Sequence, residues 1–364
     1  MFTADAEKRM AHRWGCPFRG GCVRKVLGKT AGENFKKEVM KITYFYRNHK
    51  AGYSIKKVSD LYVNQMDDAE IYEMPSQYAS LRSILKNIWF TFKHRNKRGI
   101  NHITGDIHYC IMPLMFCRTV LTVHDTVLYE RSKGIKRLLF KYLWYKIPLM
   151  FASKIVCISE TTRKKISRFT NREDISVIGN SIDPKLVKTP YVFNSLEPRI
   201  LIIGTNWNKN IVRTVKALAG IKCKIIIIGP LSFEQETVMK ADNIVYENKC
   251  GLSDEEIINE YKNCDIVSFC SIFEGFGMPI IEANAVGRPV ITSNISPMKE
   301  VAGGSALLVD PYNVDDIRSK MMCLLTDEKV RLRCIELGYE NAKKYSQSNI
   351  VNQYLHIYSQ LTNS

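Results

Sequence analysis

An α/β architecture of two Rossmann-like parallel-sheet domains facing across a cleft is what this sequence predicts, and three observations carry the prediction. Short β-rich apolar runs alternate with helix-like segments along most of the chain. The 364 residues suffice for two domains of ordinary size, each with its own core. The alternation breaks near the middle, over residues 184–198, where Pro184, Pro190 and Pro198 interrupt any regular element.

Residues 1–39 are basic and Gly-rich without a clear period, and read as a tail of unassigned role. From Met40 the pattern sharpens. Residues 40–47 (MKITYFYR) read as a first strand, Gly52 as a turn, and Ile55, Val58, Leu61 and Tyr62 have helical spacing. Further strands are expected at 71–75, 100–104, 119–124, 154–159 and 175–179, making residues 40–190 the N-terminal domain. The second domain, 191–345, has strand-like runs at 199–204, 224–229, 243–246, 265–271, 289–293 and 306–309. Residues 346–364 read as a C-terminal helix packing back towards the N-terminal domain. In such sheets ligands lie at the carboxyl ends of the strands.

Composition narrows the function. The net charge is +17, and it is concentrated: residues 40–198 hold 26 Lys+Arg against 13 Asp+Glu, whereas residues 199–364 hold 18 against 19. A basic half attracts dense negative charge, as on nucleic acid, an anionic membrane or a phosphorylated acceptor. No base-reading module accompanies it, so nucleic acid is not an expected partner. The 11 cysteines form no CxxC pair, and Cys157, Cys223 and Cys270 lie in or beside apolar runs, which reads as reduced cysteine in the cytoplasm. No segment reaches the roughly 18 continuous apolar residues of a spanning helix, and no secretory signal is evident.

The stretch 270–289, CSIFEGFGMPIIEANAVGRP, carries most of the chemistry. A buried-type strand runs into a loop with glycines at 275 and 277. A helix follows, with Pro279 near its start and Gly287 just past its end. Glycines let a ligand approach the main chain, and the free amides of the helix start point at an anion or at sugar oxygens. Glu274 in the loop and Glu282 in the first helical turn flank these amides. Carboxylates repel phosphate but accept hydrogen bonds from paired hydroxyls, so a ribose or hexose suits them. Read singly, each is equally a solvated acid or a favourable charge near a helix start.

Glu274 and Glu282 reproduce the E-x(7)-E pattern of glycosyltransferase family 4, and residues 274–311 resemble that family's donor-site core. Residues 204–210 (GTNWNKN) resemble its first loop of the C-terminal domain, 177–183 its approach to the linker, and 155–160 its late N-terminal strand. The resemblance covers residues 40–360 and implies the GT-B fold and retaining transfer of a hexose, with mannose first, from a nucleoside diphosphate sugar. It places Glu282 on the ribose hydroxyls, Glu274 on the donor sugar, and the amides of Gly275, Phe276, Gly277 and Met278 on sugar and phosphate oxygens. Lys209 becomes the diphosphate cation, in a loop that also offers Gly204, Thr205 and Asn206. The family often carries an arginine directly after the loop glycine. Thr205 stands there, leaving the second phosphate cation open, with Asn206 or Arg288 as contributors to phosphate binding, of which Arg288 reads as a surface residue.

In the first half, residues 101–109 (NHITGDIHY) and 121–126 (LTVHDT) lie where strands end and loops open. His124 matches the family's N-terminal-domain histidine, expected on the donor sugar, and Asp106, His108 and Asp125 fall on the acceptor side. Taken alone, His102 and His108 read as satisfied structural histidines. No i,i+4 histidine pair suggests a metal site, and the resemblance implies no metal or other cofactor. Residues 86–98 and 133–146 interleave aromatics with cations as interfacial helices do. They suggest an N-terminal domain resting on the cytoplasmic face of an anionic membrane, where it meets a saccharide or lipid-linked acceptor of surface polysaccharide synthesis. A GT-B epimerase or phosphorylase and a basic nucleic-acid-binding protein are the rival readings.

Overall fold

The computed structural model describes residues 23–26, 41–51, 54–242 and 244–362. Among these residues, thirteen strands form two sheets, each flanked by helices. The N-terminal domain contains β1 (Val23–Val26), β2 (Ile42–Tyr46), β3 (Ala69–Glu73), β4 (Ile100–Ile103), β5 (Arg118–Val123), β6 (Lys154–Cys157) and β7 (Ile175–Val177), in the spatial order β1-β3-β2-β4-β5-β6-β7. The C-terminal domain contains β8 (Arg199–Ile203), β9 (Lys224–Ile228), β10 (Tyr246–Lys249), β11 (Ile266–Phe269), β12 (Val290–Ser293) and β13 (Ala306–Val309), ordered β10-β9-β8-β11-β12-β13. Every pairing is parallel except that of β1 with β3. Central strands such as β2 and β11 are buried along their whole length, because helices cover both faces of each sheet.

Three differences from the sequence reading have local causes. The stretch read as a tail contributes β1, an antiparallel edge strand, and four residues (VRKV) are too few to reveal a period. The strand expected at 71–75 ends at Glu73, since Pro75 has no N–H to give a ladder. The strand expected at 243–246 begins at Tyr246 instead. Its sequence, YENK, is that of a half-exposed edge strand, set by pairing with Ile225–Ile228 and not by apolar content.

The helix Gln347–Thr362 leaves the C-terminal domain and packs on the N-terminal sheet, burying Ile350, Tyr354, Ile357 and Tyr358 against Tyr44, Tyr62 and Val156. Tyr62 stacks on Tyr354 at 4.4 Å between ring centroids. A polar relay runs through this contact: the Tyr44 hydroxyl donates to that of Tyr358 (3.1 Å), and His102 joins Tyr358 through Nδ1 (2.7 Å) and Thr122 through Nε2 (2.8 Å). His102 is therefore a structural group. The domains also meet through Glu300, whose carboxylate accepts from the Glu160 and Thr161 amides (2.6 and 3.0 Å) at the start of the helix Glu160–Ile166.

In each sheet the first long parallel strand has neighbours on both sides, so the direction of winding reverses beside it. These reversals fall between β2 and β4 in one domain and between β8 and β11 in the other, and loops there diverge to leave a crevice.

Candidate functional site

The crevice between β8 and β11 brings together the two loops singled out in the sequence. The loop after β8 turns at Gly204, with φ +83°, and ends at Asn210, with φ +57°, a left-handed conformation that asparagine tolerates. The Asn210 amide donates to the carbonyls of Cys270 and Pro311 (3.1 and 2.7 Å), fastening this loop to the one after β11. Lys209 is thereby aimed across the crevice. Its ammonium lies 2.7 Å from Glu274 Oε1 and 4.7 Å from the centre of the Phe269 ring. The Asn208 side-chain amide supports the same carboxylate (3.1 Å) and the Phe273 carbonyl (2.9 Å). Sequence reading placed Asn208 in the loop but gave it no role; its one-residue offset from Lys209 was the available signal.

The helix Met278–Val286 starts directly after this loop, capped by Gly277 at φ +125°, a conformation restricted to glycine, with Pro279 in its first turn and Gly287 (φ +79°) closing its end. Residues 275–278 thus lie beside Glu274 at a helix start, where main-chain amides lack intrahelical partners, a position suited to anionic or hydroxyl oxygens. Glu282 is the fifth residue of the helix, one place beyond the first turn in which the sequence reading put it. One of its oxygens accepts from the Tyr261 hydroxyl at 2.6 Å. Burial raises the Glu282 carboxyl above its usual range, partly offset by that hydrogen bond. Burial likewise raises the Tyr261 phenol, which stays a neutral donor. The second Glu282 oxygen has no hydrogen bond among the described residues.

Thr205 and Asn206 contribute differently from a phosphate cation. The Thr205 hydroxyl is turned to the Pro230 carbonyl (2.5 Å), and the Asn206 carbonyl accepts from the Lys209 amide (2.8 Å), shaping the turn. Arg288 is not at the surface, as expected from sequence. It is 3% exposed, and its guanidinium donates to the carbonyls of Val286, Gly287 and Lys262 and to those of Thr189 and Pro190, tying the linker to the helix end. Neither candidate supplies a second cation.

From the N-terminal domain, Asp125 approaches the donor-side loop: a Cβ on Gly275 would lie 3.6 Å from Asp125 Oδ2. Its other oxygen accepts from the Val127 amide (2.9 Å). Burial raises its carboxyl, opposed by that amide, His124 and Lys165. His124 is buried, with Nε2 donating to the Thr104 carbonyl (2.8 Å) and Nδ1 unbonded among the described residues. Burial lowers its pKa, so at neutral pH the imidazole is neutral and Nδ1 is an acceptor for a hydroxyl. Asp106 pairs with Arg47 at 3.0 Å, at the crevice between β2 and β4. Arg47, the last residue of the first strand-like run, was missed because an arginine ending a strand has no distinctive spacing. His108 departs from the acceptor-side expectation. It is 2% exposed, its Nδ1 donates to the Trp144 carbonyl (2.7 Å), and burial drives its pKa down to about 4, so it is a packing residue. Among the described residues, no group of three His, Cys, Asp or Glu side chains converges as a metal site.

Both halves of the chain match known families. Residues 190–341 match the family described as Glycosyl transferases group 1, and residues 64–186 the one described as Glycosyltransferase Family 4. O-antigen chain mannosyltransferase B of Escherichia coli is 34% identical over 108 residues, 30% of this chain and 28% of that protein. O-antigen chain mannosyltransferase RfbU of Salmonella typhimurium is 29% identical over 243 residues, 64% of this chain and 66% of that one. Among solved structures, Anabaena HepE in complex with UDP and glucose superposes with a TM-score of 0.70 at 15% identity, covering 88% of this chain and 100% of HepE. WaaG, a glycosyltransferase involved in lipopolysaccharide biosynthesis, superposes at 0.65 with 12% identity, covering 87% and 99%. At these identities the two structures speak for the shared GT-B fold alone. With adjacent family matches over residues 64–186 and 190–341, and with Lys209 and Glu274 in contact just before the helix start, the chain belongs to glycosyltransferase family 4.

Proposed function

We propose that this glycosyltransferase moves a hexose, mannose in the first instance, from a nucleoside diphosphate sugar to a hydroxyl of a saccharide or lipid-linked acceptor, with retention of anomeric configuration. The observation that carries the reading is the Lys209–Glu274 contact of 2.7 Å beside the amides of residues 275–278. In it, the amides and Lys209 hold the diphosphate, Glu282 takes the ribose hydroxyls, and Glu274 and His124 Nδ1 take sugar hydroxyls. As the bond from the anomeric carbon to phosphate oxygen breaks, charge grows on the leaving diphosphate, and the ammonium and helix-start amides stabilise it. The acceptor oxygen bonds to the anomeric carbon on the face just vacated, and its proton passes to a phosphate oxygen. Glu274, engaged by an ammonium and an amide, is a binding group in this scheme and not a nucleophile. Names of the O-antigen mannosyltransferases favour mannose and cell-surface polysaccharide. No divalent ion takes part in the proposed chemistry, so EDTA leaves the rate unchanged.

The experiment is a panel of nucleotide sugars scored for transfer and hydrolysis, with the anomeric configuration of the product read by NMR. GDP-mannose with α-product from the α-donor is the expected result; an inverted product overturns retention, and turnover of the free nucleotide sugar to its epimer favours the epimerase. Steep salt-dependent RNA binding without stabilisation by GDP or UDP favours the nucleic-acid reading.

A basic, apolar surface supports placement on the cytoplasmic face of a membrane. On the helix Leu81–His94, Leu81, Leu85, Trp89 and Phe92 form an exposed stripe, and Ile135, Leu138 and Tyr142 are exposed on the second basic segment. Residues 81–98 and 133–146 contain no Asp or Glu. Not all the aromatics belong to this face, since Trp144 is core. No helix among the described residues is long and apolar enough to cross a bilayer. Retention on phosphatidylglycerol vesicles but not on phosphatidylcholine vesicles is expected; equal retention on both contradicts an electrostatic docking.

A further inference from the structure

Charge at the crevice between β8 and β11 is unbalanced for a diphosphate. Lys209 is already paired with Glu274, so the two together bring no net charge, and Thr205 and Arg288 are committed to carbonyls. The helix-start amides supply only partial charge. A nucleoside diphosphate sugar carries a charge on each phosphate, and its departure as a leaving group needs more neutralisation than this crevice holds alone.

We propose that Lys165, presented from the N-terminal domain across the cleft, is the second cation for the donor's diphosphate. The inference rests on the reading of the Lys209–Glu274 crevice as the donor site. Lys165 belongs to the helix Glu160–Ile166, whose first amides are held by Glu300 of the opposite domain at 2.6 and 3.0 Å. That clamp sets the helix against the donor-side loop. The Lys165 ammonium lies 5.0 Å from the centre of the Phe273 ring, and Phe273 directly precedes Glu274. Asp125, next to Gly275, feels the same ammonium. Lys165 is half-buried and only loosely paired where it stands. Its acidic neighbour Glu130 is 3.6 Å away, and the same oxygen is nearer to Arg168 (2.8 Å) and to the Thr126 hydroxyl (2.7 Å). At Glu130 one carboxylate is thus shared between two cations, leaving the Lys165 ammonium without a close ion pair of its own at the lip of the crevice. A recess of about 500 Å³, lined by Lys164, Lys165, Arg168, Thr161 and Ser296, adjoins it and leaves the flexible side chain room to move. Donor binding then couples to domain approach, because the cation pair is completed only when both domains contribute.

The test is calorimetric titration of the wild type, Lys165→Ala, Lys165→Arg and Lys209→Ala with GDP, GMP, UDP and UMP. For the preferred base, Lys165→Ala weakens the diphosphate by about tenfold and shifts the monophosphate by less than about twofold. Lys165→Arg recovers most of the loss. A structural defect would weaken both nucleotides together and show in the melting temperature. In transfer assays the donor KM rises in Lys165→Ala while the acceptor KM is unchanged. Unchanged diphosphate affinity overturns the proposal. So does a rise in acceptor KM alone, which moves the ammonium to an acceptor phosphate. If Lys209→Ala also binds the diphosphate normally, the donor-site reading itself falls; if Lys209→Ala loses affinity and Lys165→Ala does not, only the role of Lys165 is lost.

Discussion

Replacing Lys209 by methionine keeps an unbranched apolar stem out to Cε and removes the ammonium, with its contacts to Glu274 and the Phe269 ring. The Lys209 and Glu274 side chains are 17% and 15% exposed, so water screens their contact only in part. Without the ammonium, Glu274 keeps the Asn208 amide at 3.1 Å as its hydrogen-bond partner, and the under-compensated carboxylate costs about 1–3 kcal/mol of stability. At the scale of domains this size, that lowers the melting temperature by about 2–4 °C per kcal/mol. Turnover suffers more, since a group that neutralises the leaving diphosphate is worth about 10²–10³ in kcat. The assay pairs melting curves with single-turnover transfer at saturating donor, on Lys209→Met, Glu274→Gln and the double variant. Removing both charges restores stability towards the wild type, because no carboxylate is left unpaired, but leaves transfer at least as poor as in Lys209→Met. The reasoning fails if Lys209→Met transfers within about tenfold of the wild type, or if the double variant regains activity along with stability.

Glu282→Gln trades binding for stability. Burial raises the folded carboxyl's pKa above its ordinary 4.5, so between those values the folded state holds more protons than the unfolded chain and stability falls as pH rises. The variant melts above the wild type at about pH 7.5, loses that advantage near about pH 4, and binds nucleoside diphosphate more weakly; equal melting at both pH values contradicts the desolvation argument. Gly204→Ala puts a Cβ 2.9 Å from Lys209 Cε at a φ of +83°, so transfer collapses towards the Lys209→Met level while circular dichroism stays native. The buried histidines act in the opposite sense to Glu282. Burial depresses His102 to about 3 and His108 to about 4, and lowers His124 as well, so each contributes stability above pH 6.5 that is lost as pH falls. His102 and His108 each steepen the pH dependence towards about 1.4 kcal/mol per pH unit below pH 6.5, and urea titrations between about pH 7 and 5 show the drop; His102→Asn reduces the slope.

The C-terminal half of the site was legible because its residues lie close along the chain. Glu274, the glycines, Pro279 and Glu282 fall within nine residues, and the strand-loop-helix grammar around them dictates where the amides point. Lys209 was found through a loop of similar economy. What sequence could not reach were partners set by packing. Tyr261 meets Glu282 from 21 residues away, and Glu300 meets Thr161 from 139 away. Arg288 misled for the same reason. A cation after a helix-ending glycine usually faces solvent, but here the linker folds over it and presents carbonyls. His108 occupies a loop-like stretch, yet the short helix His108–Leu114 turns it into the core, where Trp144 covers it.

The uneven charge of the two halves acquires a use from this arrangement. Residues 199–364 are nearly neutral, and the Lys209–Glu274 pair adds nothing to them, so in the proposed scheme the C-terminal crevice recognises its ligand through amides and hydroxyl-accepting acids. The 26 cations against 13 acids in residues 40–198 belong to the other side of the cleft. In the proposed scheme a dianionic ester bound to the neutral half attracts the basic half, whose Lys165 places its ammonium over Phe273, the residue before Glu274. Closure driven this way is long-range before contact and screened by salt. Raising ionic strength from about 20 mM to about 0.3 M should therefore raise the donor KM in the wild type and much less in Lys165→Ala. A donor KM indifferent to salt in both proteins would mean that the domains approach through the Glu300 clamp and the Gln347–Thr362 helix alone, with the diphosphate a passenger.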